Sequence, residues 1–193
     1  MYIYGLNIVN AANPSPVFPV QPFRLGGNYF PSHNEFYLAE GLTGINQTLR
    51  DFMQRLVKKY KTDPIIRTLA LDLVADLPQK DFKGEIIRIF DFVKNRIRYV
   101  KDIHEVETVQ NPVATLRLGQ GDCDDKDVLL ATLLESIGHP TQFEAVGEVT
   151  NDLTHVIVNV YLNGSWFALD PTEPVNAGWY PEGIANNFIV TNY

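Results

Sequence analysis

Cys123 is the only cysteine of the chain, in the run Gly121-Asp122-Cys123-Asp124-Asp125-Lys126 that opens a helix-periodic segment. Downstream come His155 and then Asp170, the latter in Leu169-Asp170-Pro171-Thr172. A thiol, a later imidazole and a later carboxylate are the parts of a nucleophile, base and orienter set. The thiol attacks a carbonyl, the imidazole moves the proton, and the carboxylate holds the imidazole. A thiol reacts as thiolate, and its free pKa of about 8.5 falls beside an imidazolium or in the first turn of a helix. Backbone N–H groups of that same turn can also hold an oxyanion. Against this stand Asp122, Asp124, Asp125 and Asp127, whose charges raise a thiol pKa, so His155 must supply most of the activation. A lone cysteine is more often a buried structural residue, and carboxylates at a helix start are well explained as caps.

The elements that must position these residues are legible as two periods. Apolar residues at helical spacing predict helices from near Thr43 to Tyr60, from Pro64 to Leu77 and from about Gly84 to Arg98. Asp63-Pro64 opens the second with an N-cap and a proline at its first position. Ile65, Ile66, Ile86 and Ile87 are among the residues expected to point inward. A loop containing Asn111-Pro112 leads to the cysteine helix, about Asp122 to Ile137. That helix reads as amphipathic, with Val128, Leu130, Leu133, Leu134 and Ile137 inward and Gly138 at the left-handed C-terminal position.

The period then changes to two. Segments 142–146, 155–162 and 165–170 read as strands, and Asn163-Gly164 is a two-residue hairpin signal. Helices first and an antiparallel sheet second predict an α+β fold with the cysteine at a helix N-terminus packed on the sheet. With Asn163 and Gly164 at the turn, Leu162 faces Ser165 and Ile157 faces Asp170. His155 and Asp170 then share one face as diagonal neighbours with Cβ atoms within ~7–8 Å, close enough for a hydrogen bond. The opposite face takes Val156, Val158, Val160, Leu162, Phe167 and Leu169 as a core face. A slip of one residue would separate the histidine from the carboxylate.

Residues 1–41 carry Pro14, Pro16, Pro19, Pro22 and Pro31 with Gly26-Gly27 and scattered aromatics, and sustain no period. They read as an extended arm, packed on its own core or alternatively binding a protein partner. Residues 42–193 form the expected catalytic domain, its core at about 62–172. At 193 residues and 45% hydrophobic the chain can bury a proper core. A net charge of −7 excludes the clustered basic surface that nucleic acid requires. The N-terminus has neither a basic nor a sustained apolar region, and no apolar run reaches the ~18 residues of a membrane span, so a cytoplasmic location is expected. No metal or cofactor is expected: a calcium loop needs alternating oxygen ligands and a glycine turn, and one cysteine with dispersed histidines does not make a zinc site. His33, His104 and His139 read as structural or solvated, His139 as a complement to the C-terminal end of the cysteine helix.

On Gly119-Gln120-Gly121-Asp122-Cys123-Asp124-Asp125, Thr154-His155-Val156, Trp166-Phe167-Ala168-Leu169-Asp170-Pro171-Thr172 and Ile97-Arg98-Tyr99-Val100, the chain resembles the transglutaminase-like superfamily, a branch of the papain-like cysteine enzymes. The aspartate-rich Gly-Asp-Cys-Asp-Asp form is similar to small bacterial and phage-encoded members. The resemblance implies a papain-like core in which Cys123 forms a thioester, His155 shuttles the proton and Asp170 orients the imidazole. It implies a peptide or protein substrate and leaves the acyl acceptor open. Water makes a peptidase or amidase; an amine makes a transglutaminase; a structural or assembly protein retaining the fold is a third reading. Gln120 is the side-chain candidate for a second oxyanion donor, with Gln110 and Asn111 as further amides upstream.

Overall fold

The computed structural model describes residues 41–101, 109–147 and 153–191. Nearly all of the proline-rich arm lies outside this set, as do His33 and His104. Helix α1 (Gly41–Asn46) runs through a π-helical stretch (Gln47–Met53) into α2 (Gln54–Tyr60). Helix α3 (Pro64–Val74) starts where Asp63 accepts a hydrogen bond from the Ile65 amide at 2.8 Å, with proline at the first position. Helix α4 (Phe82–Arg96) is capped by Asp81, which accepts from the Gly84 amide at 3.0 Å. Both helices bury a narrower stripe than expected. Ile66, Ala70 and Leu73 are inside while Ile65 is exposed, and Ile86, Ile89 and Phe90 are inside while Ile87 is exposed.

After the two-residue strand β1 (Arg98–Tyr99), the expected loop contains a helix, α5 (Pro112–Leu118). Asn111 caps it by accepting from the Ala114 amide at 3.0 Å, and Gly119 ends it with φ +63°. The signal there, Asn-Pro, is of the same kind as Asp63-Pro64. It was readable as a helix start, but two turns of helix leave too short a period to recognise. Strand β2 (Gln120–Gly121) pairs in parallel with β1 and leads directly into α6 (Cys123–Ser136).

Helix α6 is not amphipathic. Every residue from Asp124 to Leu134 is buried, charged ones included, because α2, α3, α4, α5 and the sheet all pack against it. A helix surrounded on all sides has no polar face to show. It ends in a Schellman motif: the His139 amide donates to Leu134 O at 3.1 Å and the Gly138 amide to Glu135 O at 3.2 Å, with Gly138 at φ +101°. His139 is buried at that end and bonds Glu85 of α4 through Nε2 at 2.7 Å.

Strands β3 (Thr141–Gly147), β4 (His155–Leu162), β5 (Ser165–Leu169) and β6 (Asn186–Thr191) form one antiparallel sheet in the order β5-β4-β3-β6. Asn163 (φ 51°) and Gly164 (φ 89°) make the β4–β5 turn, and Leu162 pairs with Ser165 as the turn requires. Phe143, Ala145, Val158, Val160, Leu169 and Val190 join the helices in the main core, and Val146, Ile157 and Ala168 bury a small second cluster on the other face. Phe167 is a correction: it is 42% exposed, because β5 is the edge strand and the helices do not reach over its outer half. Strand β6 and the helices before residue 62 also contribute to the apolar core, through Val190, Leu49, Met53 and Val57.

Candidate active site

The cysteine is positioned by ties between segments far apart in sequence. Asp122 is the N-cap of α6 in a reciprocal capping box: its side chain accepts from the Asp125 amide at 3.1 Å, and Asp125 accepts from the Asp122 amide at 3.4 Å. Asp125 also accepts from the backbone amide of Gln110 at 2.6 Å and from Gln110 Nε2, which fastens the segment before α5 to the start of α6. The Arg98 amide donates to Gly119 O and the Val100 amide to Gly121 O, each at 2.9 Å. Lys126, buried at 2% exposure, donates to Ile97 O at 2.9 Å and to Lys94 O at 3.4 Å. It thus places a cation on the free carbonyls at the C-terminal end of α4.

Gly121 leaves no room for a side chain. A Cβ there would lie 2.5 Å from Asp125 Cβ and 2.7 Å from Asp125 Oδ2. Gly121→Ala therefore displaces the capping carboxylate, and a loss of about 1–3 kcal/mol is expected. Chemical denaturation of the two proteins checks this; an unchanged midpoint would contradict the contact.

Cys123 is the first residue of α6 and half-buried. Its thiol donates to Asp124 Oδ1 at 3.7 Å. Burial pushes the thiol pKa up, and the negative charges of Asp124 and Asp122 push it the same way, as Asp127 would once ionised. The resting group is a neutral thiol. Among the described residues no hydrogen bond joins it to His155.

His155 opens β4 and Asp170 directly follows β5. His155 Nε2 donates to Asp170 Oδ2 at 2.7 Å, so the structure brings this pair together. Asp170 is 1% exposed, yet its other oxygen accepts from the Thr172 hydroxyl at 2.6 Å, the Thr172 amide at 2.9 Å and the Glu173 amide at 3.2 Å. Burial alone would raise its pKa. The bonds from His155 and Thr172 outweigh that and leave it below the ordinary carboxylate value. An ionised Asp170 is acceptor-only, so His155 Nε2 is the donor of that bond.

Gln120, half-buried, accepts from Arg98 Nη2 through Oε1, which leaves its NH₂ group to donate. Gln110 and Asn111, the other amides considered for this role, are engaged with Asp125 and with the cap of α5. Residues that the sequence did not single out stand close by. Tyr99 lies in the field of Cys123, Asp122, Glu173 and Asp124; its pKa is raised, first by partial burial and then by those charges. Thr172 clamps Asp170, and the Asp-Pro-Thr spacing was a readable signal for such an Asx-type turn. Lys126 carried no signal, since only burial distinguishes it from a solvated charge. Among the described residues no group of three or more His, Cys, Asp or Glu is arranged to hold a metal ion. No helix among them is long and apolar enough to cross a membrane.

The profile of the transglutaminase-like superfamily matches residues 68–171, more than half of the chain, and the chain belongs to that superfamily. No curated protein matches it. Among solved structures, a candidate protease from Parabacteroides distasonis aligns at TM-score 0.53 and 18% identity over 72% of this chain and 28% of that one. A candidate cysteine protease from Cytophaga hutchinsonii aligns at TM-score 0.49 and 16% identity over 72% of this chain and 50% of that one. LapG of Legionella pneumophila aligns at TM-score 0.46 and 22% identity, over 64% of this chain and 72% of that one. The chain thus spans less than a third of the first of these proteins. The α+β, papain-like fold expected from the sequence is the fold observed.

Proposed function

We propose that the protein is a cysteine-dependent amide hydrolase, a peptidase or amidase acting through a thioester on Cys123. The observation that carries this reading is the His155–Asp170 bond of 2.7 Å, which orients the imidazole and leaves Nδ1 for the role of base. In the reading, His155 Nδ1 takes the thiol proton as sulfur bonds to the amide carbonyl carbon. The tetrahedral oxyanion is held by N–H groups in the first turn of α6, with Gln120 Nε2 as second donor. The amine leaves with the proton from His155, giving the thioester; water attacks in turn, His155 taking its proton, and the acid is released as the thiol re-forms. The half-buried thiol, next to acidic side chains, makes ion-pair formation with His155 the step that must raise reactivity. An acidic surface favours encounter with basic substrates.

The test is mass spectrometry of the protein incubated with peptide and isopeptide substrates, with and without a primary amine, beside Cys123→Ala. A thioester adduct on Cys123 that decays to free acid is expected, with no turnover in the alanine variant. Adducts that pass mainly to the amine would make the protein an acyl transferase, which its superfamily also accommodates. Absence of any adduct, together with iodoacetamide labelling no faster at pH 6 than in His155→Ala, would overturn the catalytic reading and favour a structural or assembly role.

A further inference from the structure

Asp127 stands out among the buried charges. It is 0% exposed, and neither of its carboxyl oxygens has a hydrogen-bond partner, the only side chain among the described residues in which both oxygens of an ionisable group are orphaned. It lies four residues after Cys123, one helical turn along and on the same side of α6. The titratable groups around it are Asp122, Cys123, Asp124 and Lys126 from α6 and Asp170, with its partner His155, from the end of β5; Lys94 of α4 stands beside Lys126.

Two buried carboxyls within electrostatic reach of one another do not both ionise cheaply. The donors decide which one does. Asp170 has His155, the Thr172 hydroxyl and two backbone amides; Asp127 has none, and the Lys126 ammonium beside it is committed to Ile97 O and Lys94 O. We propose that Asp127 is a positioning residue of the site that works in its acid form: by keeping its proton it leaves Asp170 as the single negative carboxylate behind His155. Burial first, then the charge of Asp170, pushes the Asp127 pKa well up, in agreement with this assignment. The inference rests on the site reading above for its catalytic meaning, although the proton on Asp127 can be measured without any substrate.

The consequence has a sign. In the unfolded chain Asp127 ionises near pH 4, whereas in the folded protein it stays protonated to a higher pH, so folding retains a proton in between. Wild-type stability must then fall with rising pH relative to Asp127→Asn, which has no proton to lose. Once Asp127 does ionise, a further negative charge one turn from Cys123 opposes thiolate formation.

The experiment compares the melting temperatures of wild type and D127N from pH 5 to 9, with iodoacetamide labelling of Cys123 over the same range. The Tm advantage of D127N is expected to widen with pH. The infrared carboxylic-acid C=O band of wild type at pH 7 should be absent in D127N, a readout that stands even if the variant folds poorly. At pH 6 D127N should label Cys123 at the wild-type rate, because asparagine and a protonated Asp127 carry the same charge, whereas an ionised Asp127 would hold wild type about tenfold slower, the effect of about one pKa unit. A Tm difference that is flat in pH together with no acid band would show an ionised Asp127 and overturn the proposal. A wild-type rate already about tenfold below that of D127N at pH 6 would show a charged Asp127 and overturn the proposal. Labelling of His155→Ala at the wild-type rate would instead defeat the catalytic reading while leaving the Asp127 proton measurable.

Discussion

Asp170→Asn is expected to lower amide hydrolysis by about 10³- to 10⁴-fold with the fold retained. One oxygen of Asp170 is committed to three donors, the Thr172 amide, the Thr172 hydroxyl and the Glu173 amide, so the asparagine carbonyl must take that side. Its NH₂ group then faces His155 Nε2, where the native structure has a carboxylate oxygen at 2.7 Å. Two donors cannot meet, so the imidazole moves its proton to Nδ1 and presents Nε2 as acceptor. In the proposed mechanism Nδ1 is the base, so the variant holds the histidine in the wrong tautomer for it. Turnover with the best substrate found for wild type, together with iodoacetamide labelling at pH 6, provides the check. A loss smaller than about tenfold would mean that Asp170 supports the fold and not the imidazole.

Lys126→Met is expected to destabilise the protein by about 3 kcal/mol, lowering the melting temperature by roughly 10 °C for a domain of this size. Methionine matches the length of the lysine stem and fills its space, so the loss is electrostatic. The Ile97 carbonyl, which accepts from Lys126 at 2.9 Å, is left without that donor inside the protein, a cost of about 1–3 kcal/mol. The counter-charge near Asp170 disappears as well. Burial lowers the lysine pKa, but the neighbouring Asp170 charge acts against that. Calorimetry of the variant measures the effect, and a midpoint within 2 °C of wild type would show that Lys126 is replaceable by packing alone.

Both predictions concern residues whose importance differs in legibility. Asp170 and His155 could be paired from the sequence because Asn163-Gly164 sets the turn, the turn sets the register, and alternation then puts both on one face. Each step uses residues adjacent in the chain or facing across a two-residue loop. The same holds for the cap at Asp63-Pro64 and for the left-handed Gly138 that ends α6. Strand β6 gave no comparable signal: it pairs with β3, more than forty residues earlier, and its place at the sheet edge depends on that partner. Helix α5 was missed for its brevity, and Phe167 was misplaced because strand alternation says which face a residue takes, not whether anything covers that face.

What the sequence determined by itself is therefore the local chemistry: a thiol in the first turn of a helix, the aspartates that cap it, and the hairpin parity that lets an imidazole meet a carboxylate. These follow from backbone geometry, in which capping and alternation act over a few residues. What only the tertiary structure decided is the dielectric surrounding that chemistry. Asp124, Asp125 and Asp127 read as caps and complements to the helix dipole, and with Lys126 they became a buried set when helices and sheet closed around α6 from every side. Burial is the sum of contacts made by segments distant in the chain, and it sets what each charge costs, so that the donors at hand matter.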